Sequence, residues 1–216
     1  MESPYFNSLL QHVSVERRYN KELIAAKEEF QAFAGPIFES DRNFDARINA
    51  FHNWYILDRP LRERGKTPLA YYLEFNANSL AGEEWKRYEE LLAGVHSLFE
   101  LSRSGPEETA LKDLLSGVKY RLEGRNQTQH LDKGALLNTR LFRHQGQWFF
   151  SNYLILHPGG AARSIREQAR KLRKAKLPST PFLYQLMLFQ GRWEQYKQMS
   201  VESVYRFGDT ARSAGA

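Results

Sequence analysis

Between Ser97 and Pro158 the chain is cut by Gly-containing turns at Ser104-Gly105-Pro106, Ser116-Gly117, Glu123-Gly124, Lys133-Gly134 and Gln145-Gly146, one every 7 to 12 residues. That spacing leaves no room for helices of ordinary length, and the stretches between the turns are short, several of them apolar or alternating. Strands of about five to eight residues joined by tight turns pair antiparallel, so a small sheet or a partly open barrel is expected. The clearest hairpin runs from Leu136 to Phe142 and returns as Gln147 to Ile155 across His144-Gln145-Gly146.

The flanks have the opposite texture. Residues 14 to 34 read as a helix capped by Ser14 and stopped by Gly35-Pro36, with Tyr19, Leu23, Ala26, Phe30 and Phe33 on one apolar stripe. Further helices are expected at about 42–57, 68–76 and 82–94. Thr67-Pro68 opens the third, a hydroxyl cap before a residue that needs no N–H partner. After Pro158-Gly159-Gly160 a helix is predicted over 161–176, a break at Leu177-Pro178, a final helix from Pro181 to Met199, a short turn capped by Ser200 and a loose tail from Ala211 to Ala216. The expected class is α+β, in three parts: a helical region 1–95, a small β module 96–158, and a basic helix with C-terminal helices over 159–216.

Charge is distributed unevenly. The net value is +6, yet residues 159–177 alone hold seven Lys or Arg against Glu167, and the remainder balances 24 bases with 24 acids. On a helical projection Ile165, Ala169 and Leu172 fall within about 60°, while Arg163, Arg166, Arg170 and Arg173 span about 80° to 160° from Ile165. Arg163, Arg166, Arg170, Arg173 and Lys174 are therefore the candidate anion-binding residues. Trp148 and Phe150 alternate onto one face of the strand just before this helix, which makes them candidate stacking rings for unpaired bases.

Other chemistries find little support. Gly65-Lys66-Thr67 matches the end of a phosphate-binding loop, but Pro60 stands where its first glycine must be and no strand precedes it. Asp58, just after an aromatic helix, is expected to bond the following backbone N–H groups of a turn. The six histidines show no metal spacing, the absence of Cys excludes thiolate ligands and nucleophiles, and no side chain is singled out as catalytic. No cofactor, no metal and no membrane span are expected, and the cytoplasm is the expected compartment.

Phe51-x-x-Trp54-x-x-x-Asp58-x-Pro60-Leu61, followed by Gly65-x-Thr67-Pro68-Leu69 and Tyr72, resembles a helix-turn-helix block of uncharacterised bacterial proteins, some of which carry the zinc-binding SEC-C motif. A small β module often follows in those proteins. Leu98 to Pro158, including Leu111-x-Asp113-Leu114 and Gly134-Ala135-Leu136-Leu137-x-x-Arg140, is similar to it. The resemblance spans residues 44 to 157 and implies a fold arrangement without an activity. With no Cys, the zinc motif and its metal do not carry over.

Together these features point to a non-catalytic binding or regulatory protein whose partner is an anionic macromolecule, with nucleic acid as the specific form. A protein adaptor without nucleic-acid binding, and an enzyme without a recognisable motif, are the two alternatives.

Overall fold

A computed structural model describes residues 6–7, 9–11, 17–124, 128–196 and 198–207. The expected Ser14 cap and the tail from Ala211 to Ala216 lie outside the described residues, as does the side chain of Tyr19. The element order is α1 (Arg17–Ala34), α2 (Phe44–Leu57), α3 (Pro68–Phe75), α4 (Gly82–Leu92), β1 (Val95–Ser104), β2 (Glu108–Asp113), β3 (Lys119–Glu123), β4 (Leu136–His144), β5 (Gln147–His157), a 3-10 turn (Gly159–Ala161), α5 (Ala162–Ala175), α6 (Thr180–Gln195) and α7 (Val201–Val204). This is an α+β fold. The strand order is β3-β2-β1-β4-β5, with every neighbouring pair antiparallel.

Local chemistry accounts for most of the boundaries. The Thr67 hydroxyl accepts from the Ala70 N–H at 3.3 Å and so caps α3, and the Ser200 hydroxyl does the same for α7 by accepting from the Ser203 N–H. The β4–β5 hairpin turns on Gln145 and Gly146, both at positive φ, the two-residue conformation that fits the twist of the strands it joins.

The sheet is open but strongly curled. All five strands feed one inner apolar cluster: Phe99 from β1, Leu111 from β2, Tyr120 and Leu122 from β3, Leu137 and Leu141 from β4, and Phe150 from β5. Register shifts at Leu101/Arg103 and Thr139/Leu141 deepen the curl. The two outer strands are not paired through their backbones, yet they meet side chain to side chain. The Tyr120 and Trp148 rings stand edge to face at 4.9 Å, and Gln147 Nε2 donates to Glu123 Oε2 at 2.8 Å.

Helices cover the outside of the curl. α2 is apolar almost all round, lies on β5, and joins Phe30, Leu69 and Leu91 of the other N-terminal helices in one cluster with Phe142, Tyr153 and Ile155 of the sheet and Tyr184 and Met187 of α6. A further cluster puts Ile165, Ala169 and Leu172 of α5 with Leu98 and Leu136 of the sheet and Leu183 and Leu186 of α6. The first cluster crosses the segment boundaries near residues 95 and 158 and the second the one near 158, so the helical and β parts share their cores. Among the described residues no helix is long and apolar enough to cross a membrane.

One charged side chain bolts the helices together. Arg47 is only 3% exposed, and its guanidinium donates to the carbonyls of Ala34, Gly35, Pro36 and Met187 at 2.9 to 3.1 Å. It thereby joins the end of α1 to α2 and α6. Arg47→Ala should strand several buried carbonyls at about 1–3 kcal/mol each before relaxation, giving a loss of about 3–5 kcal/mol in urea unfolding. Thr67→Ala, which removes one cap, should cost about 1 kcal/mol in the same measurement.

Candidate anion-binding face

α5 is seated by Ile165, Gln168, Ala169 and Leu172, which point into the fold. Directly opposite this buried stripe, at about 140° to 180° from Ile165, run Arg163, Arg170 and Lys174. All three are exposed, in a row about 16 Å long at 1.5 Å per residue. Arg163, 91% exposed, has Glu167 as its ion-pair partner at 3.2 Å, one turn along the same helix. Among the described residues Arg170, Lys171, Arg173, Lys174 and Lys176 have no acid within ion-pair distance.

Arg166 differs from the other candidates. Its Nε donates to Glu100 Oε1 and its Nη2 to the Gly134 carbonyl, both at 2.8 Å, so it braces α5 against β1 and the turn before β4. The projection that put it on the basic face was correct in angle, but a long arginine at the edge of a buried stripe reaches acids on the neighbouring layer. Its side chain is 39% exposed, but its guanidinium is tied to Glu100 and the Gly134 carbonyl.

The stacking candidates are also internal. Phe150 is buried within the curl, and Trp148 packs half-buried against Tyr120 with the Arg143 guanidinium near its other side. Alternation did place both rings on one face, but that face is the sheet's own core, and a buried ring offers no platform to a base.

At the C-terminal end of α5 the charged surface folds into a groove of about 360 Å³. Its walls include His96 and Ser97 of β1, Asp113 and Ser116 at the β2–β3 turn, and Arg173, Lys176 and Ser179. Asp113 builds the turn: its carboxylate accepts from the Ser97 hydroxyl at 2.6 Å, from the Leu115 and Ser116 N–H groups at 2.8 and 3.2 Å, and from the Ser116 hydroxyl. Gly117, at φ +86°, leaves room for Arg173, whose Nη1 would lie 3.0 Å from any Cβ placed there. Lys176 ends α5 in the left-handed conformation, with its N–H and that of Leu177 bonded back to carbonyls of the last turn.

Below the groove lies a polar cluster the sequence did not disclose. Asp58 forms a short ion pair with Arg140 of β4, and the rings of His96, Tyr153 and Tyr184 flank it. Burial lowers the Arg140 pKa, but the Asp58 charge more than offsets this, and the guanidinium stays positive. Burial together with the same carboxylate pushes the Tyr184 hydroxyl up. The expected role of Asp58 as a turn-former is therefore corrected: its carboxylate reaches across the fold to β4. His96 is held down to about 4 by burial, then by the Arg140 charge. It is neutral, with Nε2 set 3.0 Å from Asn138 Oδ1. The lysine of the phosphate-loop look-alike, Lys66, pairs with Glu74 at 2.8 Å on the surface. Among the described residues no three His, Asp or Glu side chains gather as a metal site.

These features define an α+β protein with an open, curled five-stranded sheet and a basic helix laid on its outer face. The chain belongs to a family of unknown function, DUF7986, whose model matches residues 11–181 and so takes in the N-terminal helices, the whole sheet and α5. No curated protein and no solved structure matches the chain.

Three histidines, His157 buried and His52 and His96 partly so, shape the response to acid. Burial lowers His52 and His96 to about 4 and His157 to about 3, against an ordinary value near 6.5. Between about pH 6.5 and 4 the unfolded chain binds protons that the folded chain refuses, so stability is full above this window and falls as pH drops through it. The urea midpoint should be lower at pH 5 than at pH 7. His157→Gln should flatten that dependence by up to about 1.4 kcal/mol per pH unit whatever it does to stability at pH 7.

Proposed function

We propose that the protein binds a polyanion through the outward row of α5, and that nucleic acid is the polyanion. The observation that supports this is the openness of the row: Arg163, Arg170 and Lys174 are exposed on a well-packed helix, with Arg173 and Lys171 beside them, and the one acid on the helix is Glu167. Concentrated like charge on a rigid element costs repulsion unless an anion offsets it. A row of about 16 Å matches about five phosphate steps along one strand of a duplex at 3.4 Å each.

The buried aromatics narrow the mode. With Phe150 buried and the half-buried Trp148 packed on Tyr120, contact rests on phosphates, and recognition is tolerant of sequence. The Phe51 to Leu61 block supports the reading in an indirect way. Asp58 and Arg140 within the resembling stretch are paired in the scaffold that presents α5.

The variant Arg163→Gln/Arg170→Gln/Lys174→Gln should keep or slightly raise thermal stability, because it removes repulsion while keeping helix propensity nearly level. Its affinity for duplex or single-stranded nucleic acid should fall steeply at about 0.1 M salt, and the slope of log affinity against log salt should shrink by about 2 to 3 units. Unchanged affinity and slope would overturn the proposal. Arg166→Gln should do the reverse, losing about 1–2 kcal/mol of stability through its contacts with Glu100 and Gly134 while leaving binding in place.

A further inference from the structure

We propose that the groove at the end of α5 is a phosphomonoester site, filled by the terminal phosphate of a nucleic-acid strand or of a free nucleotide. The strand form rests on the reading of α5 given above; the nucleotide form does not.

Geometry supplies the first argument. Arg173 stands on the last turn of the helix, and Lys176, three residues on, is planted at the rim by the left-handed residue that ends it. Two cations held by separate anchors thus border one cavity of about 360 Å³, within the range of about 300–1,000 Å³ usual for small-molecule sites. Gly117, with no Cβ, lets the Arg173 guanidinium lie against the turn and so holds it at the cavity wall.

Charge supplies the second. The acid in the wall, Asp113, is buried, and its oxygens are already engaged by two hydroxyls and two backbone N–H groups, so it is fixed as part of the turn. Neither Arg173 nor Lys176 has an acidic partner among the described residues. A terminal phosphate carries about −1.5 to −2 at pH 7, whereas each internal phosphodiester carries one negative charge. With Arg173 and Lys176 outnumbering the Asp113 carboxylate, the cavity is net positive, and a terminal phosphate of nearly two charges gains more from it than an internal phosphodiester of one.

The walls supply the third. Asn138 donates its amide to the Leu183 carbonyl, which leaves Oδ1 facing His96 Nε2 as an acceptor. The His96 proton is therefore on Nε2, and the ring is neutral, so the charged contact falls to Arg173 and Lys176. The Ser179 hydroxyl, in the groove wall, makes no cap bond to α6, and among the described residues it is a donor available to a ligand. Leu115, Leu172 and Leu177 make the apolar side, with Leu177 52% exposed, and suit the flat, weakly hydrated face of a sugar and base.

The test compares a 5′-phosphorylated oligonucleotide, a 3′-phosphorylated one and their unphosphorylated twin by fluorescence anisotropy, with a nucleoside monophosphate added by calorimetry. In the parent at least one phosphorylated strand should bind about 10-fold more tightly than the twin, and the nucleoside monophosphate should compete this advantage away. Arg173→Gln/Lys176→Gln should erase the advantage and the monophosphate heat with no fall in melting temperature. Arg163→Gln/Arg170→Gln should weaken all strands alike and preserve the ratio. If no strand binds but the monophosphate does, and the Arg173/Lys176 variant loses it, the groove stands as a nucleotide site and the reading of α5 fails. Equal binding of all strands together with no monophosphate heat overturns the groove proposal, as does an Arg173/Lys176 variant that keeps the full advantage.

Discussion

The ion pair between Asp58 and Arg140 is the contact on which the rest of the arrangement depends. Asp58 closes α2 and Arg140 sits mid-strand in β4, where its second guanidinium nitrogen reaches the Gly94 carbonyl ahead of β1 at 3.4 Å. One side chain thus fixes the N-terminal helices, the entry to the sheet and the central strand pair in a common frame. With Arg140 buried and the Asp58 side chain 29% exposed, the pair adds little net stability over an apolar substitute, but losing Asp58 would leave the buried Arg140 charge without its partner. What it contributes is position. β1 and β4 carry Leu98, Leu136 and Asn138, the floor on which α5 and α6 rest, so the setting of the basic row is inherited from a contact beneath it.

Arginine serves two purposes in this chain, and the partners show which is which. Arg47 ends on carbonyls, Arg59 on Glu22 and Glu29, and Arg166 on Glu100 and a carbonyl, each closing a gap between elements distant in sequence. A planar fork with five donors suits such joints, where several acceptors converge and a point charge would satisfy fewer. In the outward row Arg170 meets no acid among the described residues, and Arg163 meets only Glu167 on its own helix. The contrast gives the row its meaning, since in the same molecule arginines that brace the fold do find acceptors.

Much of the architecture was legible in the sequence because it is decided locally. The Thr67-Pro68 start, the Gln145-Gly146 hairpin, the amphipathic pattern of α5 and the Ser200 turn all follow from residues within a few positions of one another, and the α+β layout follows from them. What local pattern withholds is the partner of each polar group. Asp58 meets Arg140 from 82 residues away, and a carboxylate after a helix looks the same whether it caps a turn or crosses the core. Trp148 and Phe150 were assigned correctly to one face, but alternation does not say which face is inside once a sheet curls. The pairing of Arg166 with Glu100 was hidden for a related reason: helical projection gives direction, whereas a side chain of its length chooses among acids that only the assembled layers bring near. The groove had no signature of its own, since His96, Asp113 and Arg173 come from three separate stretches.

The curl of the sheet carries one more implication. In an open sheet the first and last strands ordinarily expose backbone donors and acceptors that invite any extended chain to add on, a common route to aggregation. Here β3 and β5 bend toward each other until Tyr120 meets Trp148 and Glu123 meets Gln147, so each edge is shielded by the side chains of the other. The molecule gains much of the protection of a closed barrel while its sheet stays open, so that copies brought close together have no bare strand edge on which their sheets could fuse.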